Sequence, residues 1–145
     1  YLMDASESDQ ERSLDILRIA RAVYPESIGG GAIHEASMSK RQADMGHNVT
    51  VLTTDRGIKL APRKESKNGY TIRRCREVGN LFGNSLAPGF VPAFRRYKRE
   101  FDIVHVHSHL SSLSNVAALF SRFDETPMVL TNHGFRSQTA TSLTR

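Results

Sequence analysis

Apolar and polar positions along the chain switch between two rhythms. Leu14–Ala20 (LDILRIA) is a short, nearly continuous apolar run, the pattern of a strand covered on both faces. From Ala32 the period lengthens: Ala32, Ile33, Ala36, Met38, Ala43 and Met45 recur at roughly helical spacing among Glu, Lys, Arg and Gln, all good helix formers. Gly46 stands where a C-terminal glycine ends such a helix. Asn48–Thr54 (NVTVLTT) is a β-branched strand with Asp55 at its tip.

Residues 56–69 read as a basic loop punctuated by Pro and Gly, and 70–78 (YTIRRCREV) as an alternating strand at a sheet edge. The Gly-, Asn- and Pro-rich stretch 79–92 reads as a loop that packs down, and 93–100 (AFRRYKRE) as a short basic helix. Phe101–Leu110 begins as a buried strand, and Ser111–Phe123 is helical with Ser111 or Ser112 as N-cap. Pro127–Gly134 is a further buried strand ending in a turn. Apolar strands alternating with helices imply an α/β fold, a Rossmann-like parallel sheet with helices on both faces. The polar end QTATSLTR closes with neither strand nor helix, so the domain is expected to be incomplete at its C-terminus. Residues 1–13 read as a flexible polar extension, leaving 14–145 as the folded domain.

Composition narrows the function classes. The chain has 145 residues, 39% hydrophobic and 24% charged, which fits one globular domain rather than a disordered chain. Its one cysteine, Cys75, excludes an internal disulfide framework and fits a reducing, cytoplasmic setting. No apolar run approaches the ~18 residues of a membrane span. Lys and Arg (20) exceed Asp and Glu (15), giving +5, but no motif that reads DNA or RNA is present, so nucleic acid is not an expected partner. Arg95, Arg96, Lys98 and Arg99 form a basic segment that could contact an anionic membrane at its inner face.

In an open parallel sheet, ligands sit outside the carboxyl ends of the strands. The unusual residues collect there: Gly29-Gly30-Gly31 and His34 after the first strand, Asp55 after the second, His107-Ser108-His109 at the end of the buried strand that begins at Phe101, and His133 after the last. Glycines at a helix start let backbone N–H groups approach an anion. A P-loop fits poorly because Ala32, not Lys, follows the glycines. A nicotinamide dinucleotide-binding oxidoreductase is an alternative: Gly29 and Gly31 supply G-x-G and Asp55 could hold a ribose, but His34 stands where the third glycine belongs. His105, His107 and His109 share one strand face by period two and could ligate zinc, though no acidic residue or cysteine lies beside them. Core packing is the simpler reading of His105, and a turn that of His47.

The motifs resemble the opening of family 4 glycosyltransferases of the GT-B fold. YPESIGGGAIHEASMSKRQADMGHNVTVLTTD carries Tyr24, Pro25, Gly29, Gly30, His34, Gly46, His47, Val49, Val51, Leu52 and Thr53 of that pattern. FDIVHVHSHL carries Asp102, Ile103, Val104, His105 and His107, and PMVLTNHG carries Thr131 and His133. The resemblance implies the N-terminal, acceptor-side domain of a retaining sugar transferase. In that case Gly29 and Gly30 lie at the donor diphosphate, His133 at the transferred sugar as catalytic residue, and His34, His107, Ser108 and His109 toward the acceptor. It implies a nucleotide sugar as co-substrate, a saccharide or lipid-linked acceptor, no metal and no further cofactor. The family's C-terminal donor domain is absent from this sequence, so the chain by itself is expected to be inactive. A binding module that has kept the fold and lost the chemistry is the remaining alternative.

Overall fold

The computed structural model describes residues 12–133. Of the proposed extension, Arg12 lies 3.7 Å from Asp102 and Ser13 donates to the Gly46 carbonyl; the rest, and the polar end 134–145, fall outside the described residues.

Six strands form one sheet in the order β3-β4-β2-β1-β7-β8. They are β1 (Asp15–Ile19), β2 (Asn48–Thr54), β3 (Lys64–Lys67), β4 (Tyr70–Cys75), β7 (Ile103–His107) and β8 (Met128–Thr131). All neighbours are parallel except β3 and β4. Between β4 and β7 come a hairpin, β5 (Gly79–Leu81) with β6 (Asn84–Leu86), and the helix α2 (Phe90–Tyr97), which ends in a 3₁₀ turn. Helices α1 (Gly30–Asp44) and α3 (Ser112–Ser121) are the β1–β2 and β7–β8 crossovers.

Helices cover both faces. Phe90 and Phe94 of α2 and Leu113 and Ala117 of α3 pack with Leu17, Ile19, Leu52, Val104 and Val106 in one core. The opposite face joins Ile16, Ala20, Val49, Val51, Tyr70 and Ile72, with Ala43 of α1 against it. Alternation within β1 decides which side chain meets which layer: Leu17 and Ile19 face α2 and α3, while Ile16 and Arg18 face α1.

Three expectations are corrected. The strand at 70–78 ends at Cys75 and is internal, because Lys64–Lys67, inside the presumed basic loop, pairs antiparallel along its outer side. That strand reads KESK; a polar edge strand shows no hydrophobic period and resists edge-to-edge association. The presumed loop 79–92 contains the hairpin, closed by Phe82 and Gly83 at φ 50° and 80°, the backbone of a two-residue type I′ turn, and also the first turn of α2. Pro92 sits in that first turn, where its missing N–H would have had no helical partner. Finally, β8 is an edge rather than a buried strand, with Val129 44% and Leu130 52% exposed, since only β7 flanks it among the described residues.

Strand order reverses at β1 and β7, which are parallel neighbours: from β1 the chain moves to β2 on one side, and its return places β7 on the other. The carboxyl ends of these two strands flank the switch point where such sheets hold ligands.

Candidate functional site

The loop leaving β1 reaches the rim and turns into α1 at Gly29, which stands at the N-cap in extended backbone (φ −76°, ψ 151°) with no capping side chain. The first helical bond runs from the Ile33 N–H to the Gly29 carbonyl at 3.1 Å, so the N–H groups of Gly30, Gly31 and Ala32 precede the hydrogen-bonded ladder. A Cβ placed on Gly30 or Gly31 would meet no described atom within 4 Å, and neither residue has a positive φ. The fold itself therefore does not require glycine at either position. The loop is anchored from below: Arg74, its side chain 3% exposed, bridges Glu26 at 2.5 Å and Glu65 at 2.9 Å.

His34 lies one turn after Gly30 on the same face of α1. Its ring meets that of His133 edge-on, with centroids 5.1 Å apart. The glycine run and His133 thus share one rim of the sheet. Beneath His133 lies His107, its ring stacked at 5.4 Å, with its Nδ1 3.1 Å from the His133 Nε2. The expectation that His107 opens into the crevice is corrected: it is 1% exposed and His133 covers it.

Ser108 follows β7 in the left-handed region at φ 66°, an uncommon conformation for a residue with a Cβ. Its N–H extends the ladder to the Thr131 carbonyl, and its Oγ accepts from the Leu110 N–H. The turn takes His109 out of the strand register and sets its Nδ1 3.2 Å from the Asn132 Oδ1. His105, His107 and His109 consequently do not form a triad on one face.

A buried charge organises this rim from inside. Arg18, 0% exposed, donates from Nε to the His107 Nε2 at 3.1 Å and from its terminal nitrogens to Ser39 Oγ and Gln42 Oε1. Its Nη2 also lies 3.3 Å from the His105 Nδ1, and the His105 Nε2 lies 2.7 Å from Thr131 Oγ1. Burial lowers the Arg18 pKa to about 10, so it remains a cation at neutral pH. Burial first, then the neighbouring cation and histidines, lowers His105 to about 4; burial, then His105 and Arg18, lowers His107 to about 3. Both rings are neutral. Burial raises Glu35 to about 8 against the opposing pull of Arg18, so its carboxyl is largely protonated at neutral pH. The Glu35 Oε2 is buried with no partner among the described residues. Burial, then His34, lowers His133.

Sequence reading missed Arg18 and Glu35. The signal was a cation inside an otherwise apolar strand and, on α1, a polar inward face of Glu35, Ser39 and Gln42 that the apolar positions do not mark.

Glu35, His107 and His133 bring one ligand atom each within 4.8 Å of one another, a spacing that suits a metal ion. The donor set does not fit. A guanidinium only donates, so the His107 Nε2 must accept, and the neutral ring then carries its proton on Nδ1, the atom that would have to bind metal. The dinucleotide alternative loses its acid as well: Asp55 is 5% exposed, accepts the N–H groups of Gly57 and Glu77 on Oδ1, and faces Arg63 at 3.3 Å. Of the basic segment, Lys98 turns inward to the Phe120 carbonyl and Asp124, closing the end of α3. No helix among the described residues is long and apolar enough to cross a membrane. On the α2–α3 side, Ser85, Leu86, Phe90, Val91, Leu113 and Val116 line an apolar groove of about 270 Å³.

The topology and this rim define a Rossmann-like domain of the kind that carries a ligand at its switch point. The particular family follows from comparison: the model of Glycosyltransferase Family 4 matches residues 28–144, and the chain belongs to that family. No curated protein matches the chain. Among solved structures, sucrose-phosphate synthase from Thermosynechococcus elongatus superposes with a TM-score of 0.62 at 17% identity, over 88% of this chain and 37% of that one. At that identity the match speaks for the fold, and the chain spans little more than a third of the neighbour's length.

Proposed function

We propose that the chain is the acceptor-side half of a retaining sugar transferase that takes its sugar from a nucleotide-sugar donor. Family membership supports the reaction class. The observation that carries the finer reading is the juxtaposition of a bare helix start at Gly29–Gly31 with His133, bridged by the edge-on contact of His34 and His133 at 5.1 Å. As the donor breaks, negative charge grows on the departing diphosphate; unpaired N–H groups at a helix start are fixed donors that gain most when that charge develops. A neutral imidazole beside them suits a sugar hydroxyl better than a cation would, because it donates without competing for the diphosphate.

His34, Ser108 and His109 lie around the same rim and are assigned to the acceptor side, with His107 acting through His133. The apolar groove between β6, α2 and α3 suits the apolar part of a lipid-linked acceptor. A second nucleotide-binding domain completes the donor site in this reading, and neither a metal nor another cofactor is required.

The test uses the protein joined to its donor domain and follows transfer of radiolabelled sugar from a panel of nucleotide sugars. One donor is expected to be used, and His133→Ala is expected to lower kcat about 100-fold or more, as for a lost transition-state donor, with a small change in acceptor KM. Equal turnover in variant and parent removes His133 from the chemistry; hydride transfer to a nicotinamide with no sugar transfer would favour the oxidoreductase.

A further inference from the structure

From the hydrogen bonds around Arg18 we infer that this residue is a positioning residue: it sets the tautomers of His105 and His107 and thereby makes His133 present Nδ1–H, a donor, to the crevice. The inference rests on the assignment of His133 above for its functional meaning, but not for its chemistry.

The direction of each bond follows from one fact, that a guanidinium has five N–H donors and no acceptor. Arg18 Nε–H points at the His107 Nε2, so that nitrogen keeps its lone pair. His107 is neutral, so its proton is on Nδ1, directed at the His133 Nε2 3.1 Å away. The His133 Nε2 is then the acceptor, and its own proton is on Nδ1. The second branch runs in parallel: Arg18 Nη2 donates to the His105 Nδ1, leaving Nε2–H to donate to Thr131 Oγ1 at 2.7 Å. The two buried histidines of β7 are thus held in opposite tautomers by a single cation on β1; His105 passes a donor to Thr131 of β8 and His107 one to His133, just beyond it.

The arrangement is overdetermined at its source. Arg18 is fixed by Ser39 Oγ, whose own hydroxyl donates to the Glu35 carbonyl at 2.7 Å, and by Gln42 Oε1 on the next turn of α1. The charged and titratable groups facing His107 and His133 are Arg18 from β1, His34 and Glu35 from α1, and His105 from β7. Arg18 is the cation that contacts both His105 and His107, and Glu35 Oε1 stands 3.8 Å from the His107 Nδ1, too far to compete with His133 for its proton. The consequence for the reaction is specific. With its Nε2 occupied from beneath, His133 cannot take a proton through that atom; it serves as a neutral hydrogen-bond donor at the sugar rather than as a general base.

Long-range ¹H–¹⁵N correlation of the imidazole rings in ¹⁵N-labelled protein at pH 7.5 tests this without any substrate. The parent is expected to show a pyrrole-type Nδ1 and pyridine-type Nε2 for His107 and His133, and the reverse for His105. In Arg18→Met the His107 pattern is expected to invert or average, and His133 to follow it. A parent spectrum with the proton on the His107 Nε2, or an Arg18→Met variant that stays folded with all three patterns unchanged, overturns the inference. If Arg18→Met does not fold, the parent spectrum decides alone. Should the tautomers be as described while His133→Ala retains full transfer activity, the relay stands and the catalytic assignment fails.

Discussion

Replacing Gly30 by alanine separates what the fold needs from what a ligand needs. Gly30 is the first residue of α1, its φ is not positive, and an added Cβ meets no described atom within 4 Å. Alanine there reduces the freedom of the unfolded chain and suits the helix better, worth about 0.5 kcal/mol of stabilisation. With about 2.1 cal/mol/K of unfolding entropy per residue over 145 residues, the entropy is about 0.3 kcal/mol/K, and Tm should rise by about 2 °C. The same methyl group stands on the open side of the proposed anion cradle. If it costs the diphosphate one hydrogen bond to a charged oxygen, about 1.5–3 kcal/mol, donor affinity falls about 10- to 150-fold. Differential scanning calorimetry and donor titration of the protein joined to its donor domain read the two effects separately. Opposite signs are expected, stability slightly up and affinity down. A clear drop in Tm would mean that glycine serves the fold; unchanged donor affinity would mean that the diphosphate does not approach Gly30.

Stability should depend on pH in a way the buried cluster dictates. His105 and His107 titrate near 6.5 when unfolded but near 4 and 3 when folded, so below pH 6.5 the unfolded chain binds more protons and stability falls with falling pH. Glu35 titrates near 4.5 unfolded and near 8 folded, so between those values the folded chain binds more protons and stability falls as pH rises. Two histidines outweigh one carboxyl below 6.5, which puts the cluster's optimum near pH 6.5, with a decline toward pH 8 of up to about 1.4 kcal/mol per unit. Urea unfolding across pH 4–9 measures it, and Glu35→Gln should flatten the alkaline decline; parent and variant curves of the same shape would refute the assignment. Arg74→Ala should cost about 3 kcal/mol or more by leaving Glu26 half-buried without its partner, lowering Tm by about 10 °C, and Arg74→Lys should recover only part because one ammonium cannot bridge both Glu26 and Glu65 as the fork does. A Tm within 2 °C of the parent for Arg74→Ala would show that the bridge contributes little.

What the chain made legible was its two-rhythm alternation and its punctuation. Strands β1, β2 and β7 are apolar enough to announce themselves, Gly46 (φ 93°) ends α1 where a left-handed residue is wanted, and the rim residues cluster because strand ends are where a parallel sheet exposes its loops. Edges were harder to read. Lys64–Lys67 carries no apolar residue, and its strand exists through backbone pairing with β4, which no side-chain period reports. The rim could be located from sequence, but its internal wiring could not. His107 looked like a crevice residue because period two gives a face and not a depth; its burial depends on His133, just after β8 and 26 residues away, folding over it. Arg18 was hidden for the opposite reason: in an apolar run a single cation reads as an interruption, and only the inward polar face of α1 gives it partners.

The central claim is that one rim of this sheet holds both the diphosphate and the sugar of a donor. A crystal structure of the protein joined to its donor domain, with an unreactive nucleotide sugar bound, measures this directly. Phosphate oxygens within hydrogen-bond distance of the Gly30 or Gly31 N–H, together with a sugar hydroxyl at His133 Nδ1, are the expected result. A donor bound with its diphosphate away from the start of α1, or with its sugar out of reach of His133, would contradict the account.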